Sequence, residues 1–405
     1  MSTTTADRGG DYRILGVIGI GHGMSHVYYL VLPPLFLYLR DAFNVTYAEL
    51  GTALAVMSLA SAVLQVPIGF MVDRLGARLM LLTGFAVVSL ATTLMGFCTS
   101  FWQLLVLCFI AGAGNAVFHP TDYAILNSSI SQDRMGRAFS MHTFTGQIGT
   151  AAAPVIMIAL AQAFGWREAL IIIGLAGFVA MALVVSQWSV MREDVLETKP
   201  KPEKKAEIES PAAPNPLAVV LAPPMLMFFV FFTVLSMMQT GMQAFAATAL
   251  VAQHGTPLTI ANLALSAYLF SSAAGVLLGG EISDRWQRHD LVAGIVLVVT
   301  AIFMVMMAWF SFGAAMLIVL MIVIGIGQGA TRPARDMMLR AATPKGQTGG
   351  VFGFVTSGIA VGSALAPIPL GWLLDIGKPA WVFYLLALFM VLALVSMMAQ
   401  RALTR

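Results

Sequence analysis

Residues 79–98 read LMLLTGFAVVSLATTLMGFC, twenty positions without a charge. A helix of about 20 residues spans the roughly 30 Å hydrocarbon core of a bilayer, so a run of this length and composition reads as a membrane crossing. Residues 291–311 and 379–399 repeat the pattern. Only 10% of the chain is charged and 59% is hydrophobic, where a soluble domain carries about 25% charged residues. Lipid is the solvent these segments are built for. Scanning the chain for windows of this kind predicts twelve spans, at 14–40, 47–72, 79–98, 101–128, 136–163, 166–189, 217–250, 258–283, 291–311, 313–340, 347–374 and 379–400. The expected fold is an all-α integral membrane protein.

Twelve spans put both termini on one side. Seventeen of the 22 Lys and Arg then fall on that side, from Arg8 and Arg13 to Arg401 and Arg405. The opposite loops hold only Arg40, Arg167 and Lys378, and Arg332 and Arg335 lie inside a span. Basic residues concentrate in cytoplasmic loops, so the termini are expected in the cytoplasm, and the protein in a cell inner membrane. The polar start MSTTTADRGGDYR has no cleavable-signal pattern, because the first apolar run is too long for one. Cys98 and Cys108 fall in or beside spans and read as reduced, apolar thiols.

Residues 191–216 are hydrophilic and rich in Lys, Glu, Pro and Ala, which predicts a flexible cytoplasmic linker. It separates an amino-terminal bundle, residues 1–190, from a carboxy-terminal one, residues 217–405, with six spans each. The halves repeat at an offset of 213 residues, so that Gly112, Gly114, Pro120, Gly136, Phe139, Gly149 and Pro154 fall on Gly325, Gly327, Pro333, Gly349, Phe352, Gly362 and Pro367. Repeats of this type place a solute site near mid-membrane at their interface. Gly146, Gly149 and Ala151–Ala153 in the fifth span, with Gly358, Gly362 and Ala364 in the eleventh, offer small surfaces for close helix approach.

The loop after the second span reads GFMVDRLGAR, residues 69–78, and its counterpart after the eighth reads GEISDRWQR, residues 280–288. This pair resembles the signature loops of the major facilitator superfamily. The resemblance implies two pseudo-symmetric six-helix bundles, with the first, fourth, seventh and tenth spans around a central cavity. It also implies a cytoplasmic gate in which Gly69, Asp73, Arg74 and Arg78 work with Asp284 and Arg285 to hold the halves in one state. Two features depart from the antiporters of that family. Cys108 stands where they carry an Arg, and GQIGTAAAP lacks their Gly-Pro dipeptide. The nearest resemblance is to the fosmidomycin-resistance-like branch, through a His in the first span, Phe118-His119-Pro120 in the fourth and Gly136 to Phe139 opening the fifth.

Ionisable groups inside spans cost about 2.5–3.5 kcal/mol each on insertion scales, and they persist where they pair or line a wet cavity. His22, His26 and Tyr29 share one helix face, as do His119, Asp122 and Tyr123, and Arg332, Arg335 and Asp336. His142, Gln239 and Gln243 add to this set. Tyr28 and Tyr29 also suit interfacial anchoring. Histidine titrates near neutral pH, and desolvation favours the protonated form of a carboxylate, which makes His22, His26, His119 and Asp122 candidate proton carriers. The planar forks of Arg332 and Arg335 suit a carboxylate, phosphonate or phosphate. Together these residues predict a proton-coupled secondary transporter of a small organic anion or zwitterion, acting as a monomer without a cofactor. A copper-like metal importer is a second reading, with His22, Met24, His26, His119, Asp122 and His142 as ligands, in a chain of 26 Met of which Met238 and Met242 share a face of the seventh span. A non-transporting receptor is a third. HGMSH lacks the Glu a zinc protease helix needs, no nucleophile–base set or phosphate-cradling loop occurs, and nothing points to nucleic acid.

Overall fold

The computed structural model describes residues 8–130, 134–191, 219, 221–286, 288–343 and 348–403. The predicted linker, beyond Met191, lies outside the described residues. Twelve helical segments are long and apolar enough to cross a membrane. In the first half these are α1 (Tyr12–Phe43), α2 (Tyr47–Leu75), α3 (Ala77–Met95), α4 (Phe101–Ser129), α5 (Arg137–Phe164) and α6 (Trp166–Ser186). In the second they are α7 (Pro223–His254), α8 (Leu258–Ile282), α9 (His289–Trp309), α10 (Ala314–Ala342), α11 (Val351–Asp375) and α12 (Pro379–Leu403). The span count agrees with the sequence pattern. Cys98 and Cys108 are buried free thiols.

Three spans are interrupted. In α1 the helix stops at Tyr29 and resumes through a short 3-10 turn at Pro33–Leu35. In α4 it breaks between Asn115 and Phe118, and in α11 between Leu365 and Pro367. The breaks follow from proline chemistry. Pro120 and Pro367 fall in the first turn of the resumed helices, where a missing N–H costs nothing. Pro120 and Pro333 fall at the same place in the repeat. Their settings differ: Pro120 follows a break in α4, whereas Pro333 lies inside α10, which runs unbroken.

Small residues set the spacing inside each half. At Gly149 a Cβ would lie 2.0 Å from the carbonyl oxygen of Gly23, and at Gly362 one would lie 2.2 Å from that of Thr233. The fifth span on the first, and the eleventh on the seventh, therefore meet backbone to backbone at equivalent places. Gly149→Leu is expected to force α5 off α1 and to cost about 1–3 kcal/mol, the usual penalty of overpacking. Thermal unfolding of the purified protein in detergent checks this. Gly353→Leu serves as the control, since a Cβ there meets nothing within 4 Å and the melting temperature should hold.

The halves meet at the end away from the termini. Phe36 of α1 and Phe245 of α7 are both buried, with ring centroids 5.3 Å apart. Close by, the carboxylate of Asp375 on α11 accepts from the backbone N–H groups of Tyr47 (2.7 Å) and Ala48 (2.9 Å) on α2. The signature loops lie at the other end. Asp73 and Arg74 are exposed without an ion-pair partner among the described residues. Arg78 instead stacks its guanidinium over Trp188 at 5.0 Å, and Arg285 pairs with Glu281 of its own helix at 2.5 Å. The side chain of Asp284 lies outside the described residues, and Gly69 has open space where a Cβ would be. No ion pair among the described residues joins these gate positions across the two halves.

Candidate functional site

A cavity of about 680 Å³ lies between the halves. Its wall takes His26 and Tyr29 from α1, His119 and Tyr123 from α4, and Gln147 and Thr150 from α5. The second half supplies Gln239 and Gln243 from α7 and Arg332 and Arg335 from α10. Eight of the eleven residues expected to bind solute are therefore brought together on one surface. Tyr29 is not an interfacial anchor: its hydroxyl donates to Ser61 Oγ at 2.6 Å inside the bundle. Tyr28 is not one either, since it is fully buried with its hydroxyl 2.9 Å from Ser89 Oγ.

The other three, His22, Asp122 and His142, do not line the cavity. They form a buried cluster behind its wall, with exposures of 2%, 0% and 3%. Asp122 Oδ2 accepts a hydrogen bond from His142 Nε2 at 3.0 Å and lies 3.2 Å from His22 Nδ1. That second contact is close enough for an ion pair but is off the hydrogen-bond axis, so His22 Nδ1 counts as unpartnered. Asp122 Oδ1 and His119 Nδ1 are also buried with no hydrogen-bond partner among the described residues. The imidazoles run continuously from wall to interior. Ring centroids are 4.6 Å apart for His26 and His22, 5.0 Å for His119 and His22, and 3.6 Å for the stacked His22 and His142.

Local structure fixes this arrangement. The break in α4 starts a new helix one residue before His119, so the segment that carries the titratable groups is oriented independently of the upper half. Asn115, the last residue before the break, donates to the carbonyl of Ser25 at 2.8 Å and ties α4 to α1 beside His22. Thr150 sets the tautomer of His26. Its hydroxyl proton goes to the Gly146 carbonyl at 3.0 Å, so at 2.9 Å from His26 Nδ1 it can only accept. Neutral His26 then carries its proton on Nδ1 and keeps Nε2 as a free acceptor.

The cationic side is simpler. Arg335 is held by Asp336 (Nε to Oδ1 3.0 Å) and by the Phe232 ring 4.5 Å from its guanidinium carbon. Arg332 has no ion pair among the described residues. One uncompensated positive charge therefore faces the imidazoles across the cavity. Three histidines, His22, His119 and His142, have ligand-capable nitrogens within 4.8 Å of one another. The methionines of the metal reading are elsewhere: Met238 and Met242 are fully buried in the hydrophobic core, and Met24 packs against it.

Sequence reasoning missed Thr150, Asn115 and Asp375. The first two are single polar residues inside spans, a signal as strong as the glutamines that were noted. Asp375 is the lone acid of an apolar span, at its end away from the termini.

Two like halves of six crossings, packed around one polar cavity that is closed at one end, define a membrane transporter of the alternating-access type. The sequence model of the Major Facilitator Superfamily matches residues 18–245 and 229–404, and the chain belongs to that superfamily. It stands near the fosmidomycin-resistance-like branch and is a transporter of small solutes, not an enzyme. The fosmidomycin resistance protein of Escherichia coli strain K12 is 26% identical over 298 residues, which cover 73% of this chain and 70% of the relative. The multidrug resistance protein MdtH of Shigella boydii is 24% identical over 368 residues, 87% of this chain and 84% of that one. The fold is similar to that of a bacterial homologue of the human lysosomal transporter Spinster in an inward-facing and occupied conformation. That likeness has a TM-score of 0.75 at 15% identity, over 97% of this chain and 96% of that one.

Proposed function

We propose that this protein is a proton-coupled exporter of small organic anions or zwitterions, with both termini in the cytoplasm of a cell whose inner membrane it spans. One observation carries the reading: an unpaired arginine and a tethered one face two imidazoles across the cavity, and those imidazoles lead to a buried aspartate. An anionic group of the solute would take the forks of Arg332 and Arg335. Its arrival balances the positive wall, and a proton on the imidazole–carboxylate chain restores or removes that balance. Export is supported by the resistance proteins among the relatives.

Reconstituted flux of a panel of carboxylates and phosphonates under an imposed pH gradient tests the proposal. Arg332→Ala is expected to lower anion flux about tenfold or more, since a hydrogen bond to a charged group contributes about 1.5–3 kcal/mol. Anion transport by that variant at the wild-type rate sinks the anion clamp. Flux indifferent to the gradient sinks the coupling.

Metal carriage is the second reading, favoured by the three clustered histidine nitrogens. Two arginines in the same cavity repel a cation, and His22 and His142 already contact Asp122. Metal analysis of the purified protein after exposure to copper and zinc separates the two.

A further inference from the structure

A second concavity lies on the outside of the carboxy-terminal half. It is a groove of about 390 Å³ between α9 and α12, at the end that carries the termini. We propose that this groove binds one anionic glycerophospholipid, with its phosphate between Arg288 and Arg401 and an acyl chain along the groove below them.

The depth of the groove in the membrane is set by aromatic residues. Trp286 is 61% exposed just before α9, and Trp309 is 72% exposed at its other end. Exposed tryptophans concentrate at the two membrane–water interfaces, and the 21 residues of α9 rise about 31 Å, enough to join those interfaces. Arg288, at the cap of α9, and Arg401, in the last turn of α12, therefore stand at headgroup level. Below them the walls turn apolar. Ile295 and Val298 on α9 and Met398 on α12 are 55%, 44% and 62% exposed, which places them at acyl-chain depth.

The charges match one phosphodiester. Asp290 pairs with Arg401 across the mouth and joins the two helices. Arg288 is exposed and has no ion pair among the described residues. Arg288 thus brings to the groove a positive charge with no ion-pair partner among the described residues, and a phosphodiester brings a single negative one. The first N–H groups of α9 add a favourable partial charge at the same place. Gly294 forms the floor. A Cβ there would touch Met397 and Leu394 at 3.5 and 3.6 Å, so a methyl group fits and a larger side chain fills the space a chain would occupy. A membrane protein is coated with lipid everywhere. What distinguishes this place is a cationic mouth directly over an apolar slot, the arrangement by which basic pockets between spans hold acidic lipids.

Native mass spectrometry of the full-length protein, released from detergent micelles containing either dioleoylphosphatidylglycerol or dioleoylphosphatidylcholine, tests this. The wild-type protein is expected to retain the glycerol lipid about fivefold over the choline lipid, the effect of one net surface charge. Arg288→Glu should bring that ratio to one, and Gly294→Phe should lower retention of both lipids. Excess inorganic phosphate should displace neither. Equal retention of the two lipids by the wild-type protein overturns the proposal, because it shows ordinary annular lipid. So does wild-type selectivity in both variants. Displacement by phosphate also overturns it, since it identifies a small-anion site. Circular dichroism confirms that each variant is folded, and Gly294→Phe tests the slot without touching either arginine. The proposal does not depend on the transport reading.

Discussion

Asp122→Asn is expected to abolish proton-driven accumulation while solute exchange between the two sides of the membrane remains measurable. Asp122 is fully buried, and one oxygen accepts from His142 at 3.0 Å and lies 3.2 Å from His22 Nδ1. Such a group persists in a membrane only where it pairs or works. Asparagine keeps the shape and can still accept from His142, but it neither binds a proton nor stabilises one on the flanking imidazoles. A positioned proton acceptor accounts for about a hundredfold or more in rate, so gradient-driven flux should fall by at least about that factor. Exchange of labelled for unlabelled solute at equal pH needs no net proton movement and should survive. Removing one member of a buried ion pair can also destabilise by about 3–5 kcal/mol. The melting temperature is therefore measured beside the flux. A folded Asn variant that still accumulates solute at the wild-type rate refutes a proton role for the cluster.

The crossings and their repeat were legible because lipid imposes length and composition on each segment, and those are local properties. The polar residues were legible for the same reason: His22, Asp122 and Arg332 cost free energy wherever they face. Their division between cavity and interior was not. Spacings of three and four put His119, Asp122 and Tyr123 on one side of a helix, yet that side is broad enough to serve two surroundings. His119 and Tyr123 reach the cavity, and Asp122 turns behind it toward α1 and α5. The rotation of that half-helix depends on the break after Asn115 and on the bond from Asn115 to Ser25, a partner 90 residues away. Thr150 was overlooked because its meaning lies in His26, 124 residues away. The signature loops announce a latch, but not the state in which it closes.

The closed end supplies the second large effect. Asp375→Ala is expected to shift the protein toward the state open at the end away from the termini. The first turn of α2 presents backbone N–H groups with no intrahelical acceptor. Its own capping box takes two of them: Glu49 Oε2 accepts from Thr46 N at 2.8 Å, and Thr46 Oγ1 accepts from Glu49 N at 3.1 Å. The two between, on Tyr47 and Ala48, are left for Asp375 of the opposite half. Separation of α2 from α11 at this end breaks both bonds and takes a carboxylate away from a helix N-terminus. The contact therefore stabilises one state and not the other, which is what a population shift requires. Two charge-assisted bonds of this kind and a favourable dipole sum to about 1–3 kcal/mol after hydration is counted, or roughly a 5- to 150-fold change in the ratio of the two states. Asp375→Asn keeps one acceptor oxygen and should fall between alanine and wild type. Pulsed electron resonance between spin labels at the ends of α2 and α11 away from the termini reads the ratio directly. If the distance distribution of the Ala variant matches that of the wild type, Asp375 only caps a helix, and what holds this end shut is the apolar contact of Phe36 with Phe245.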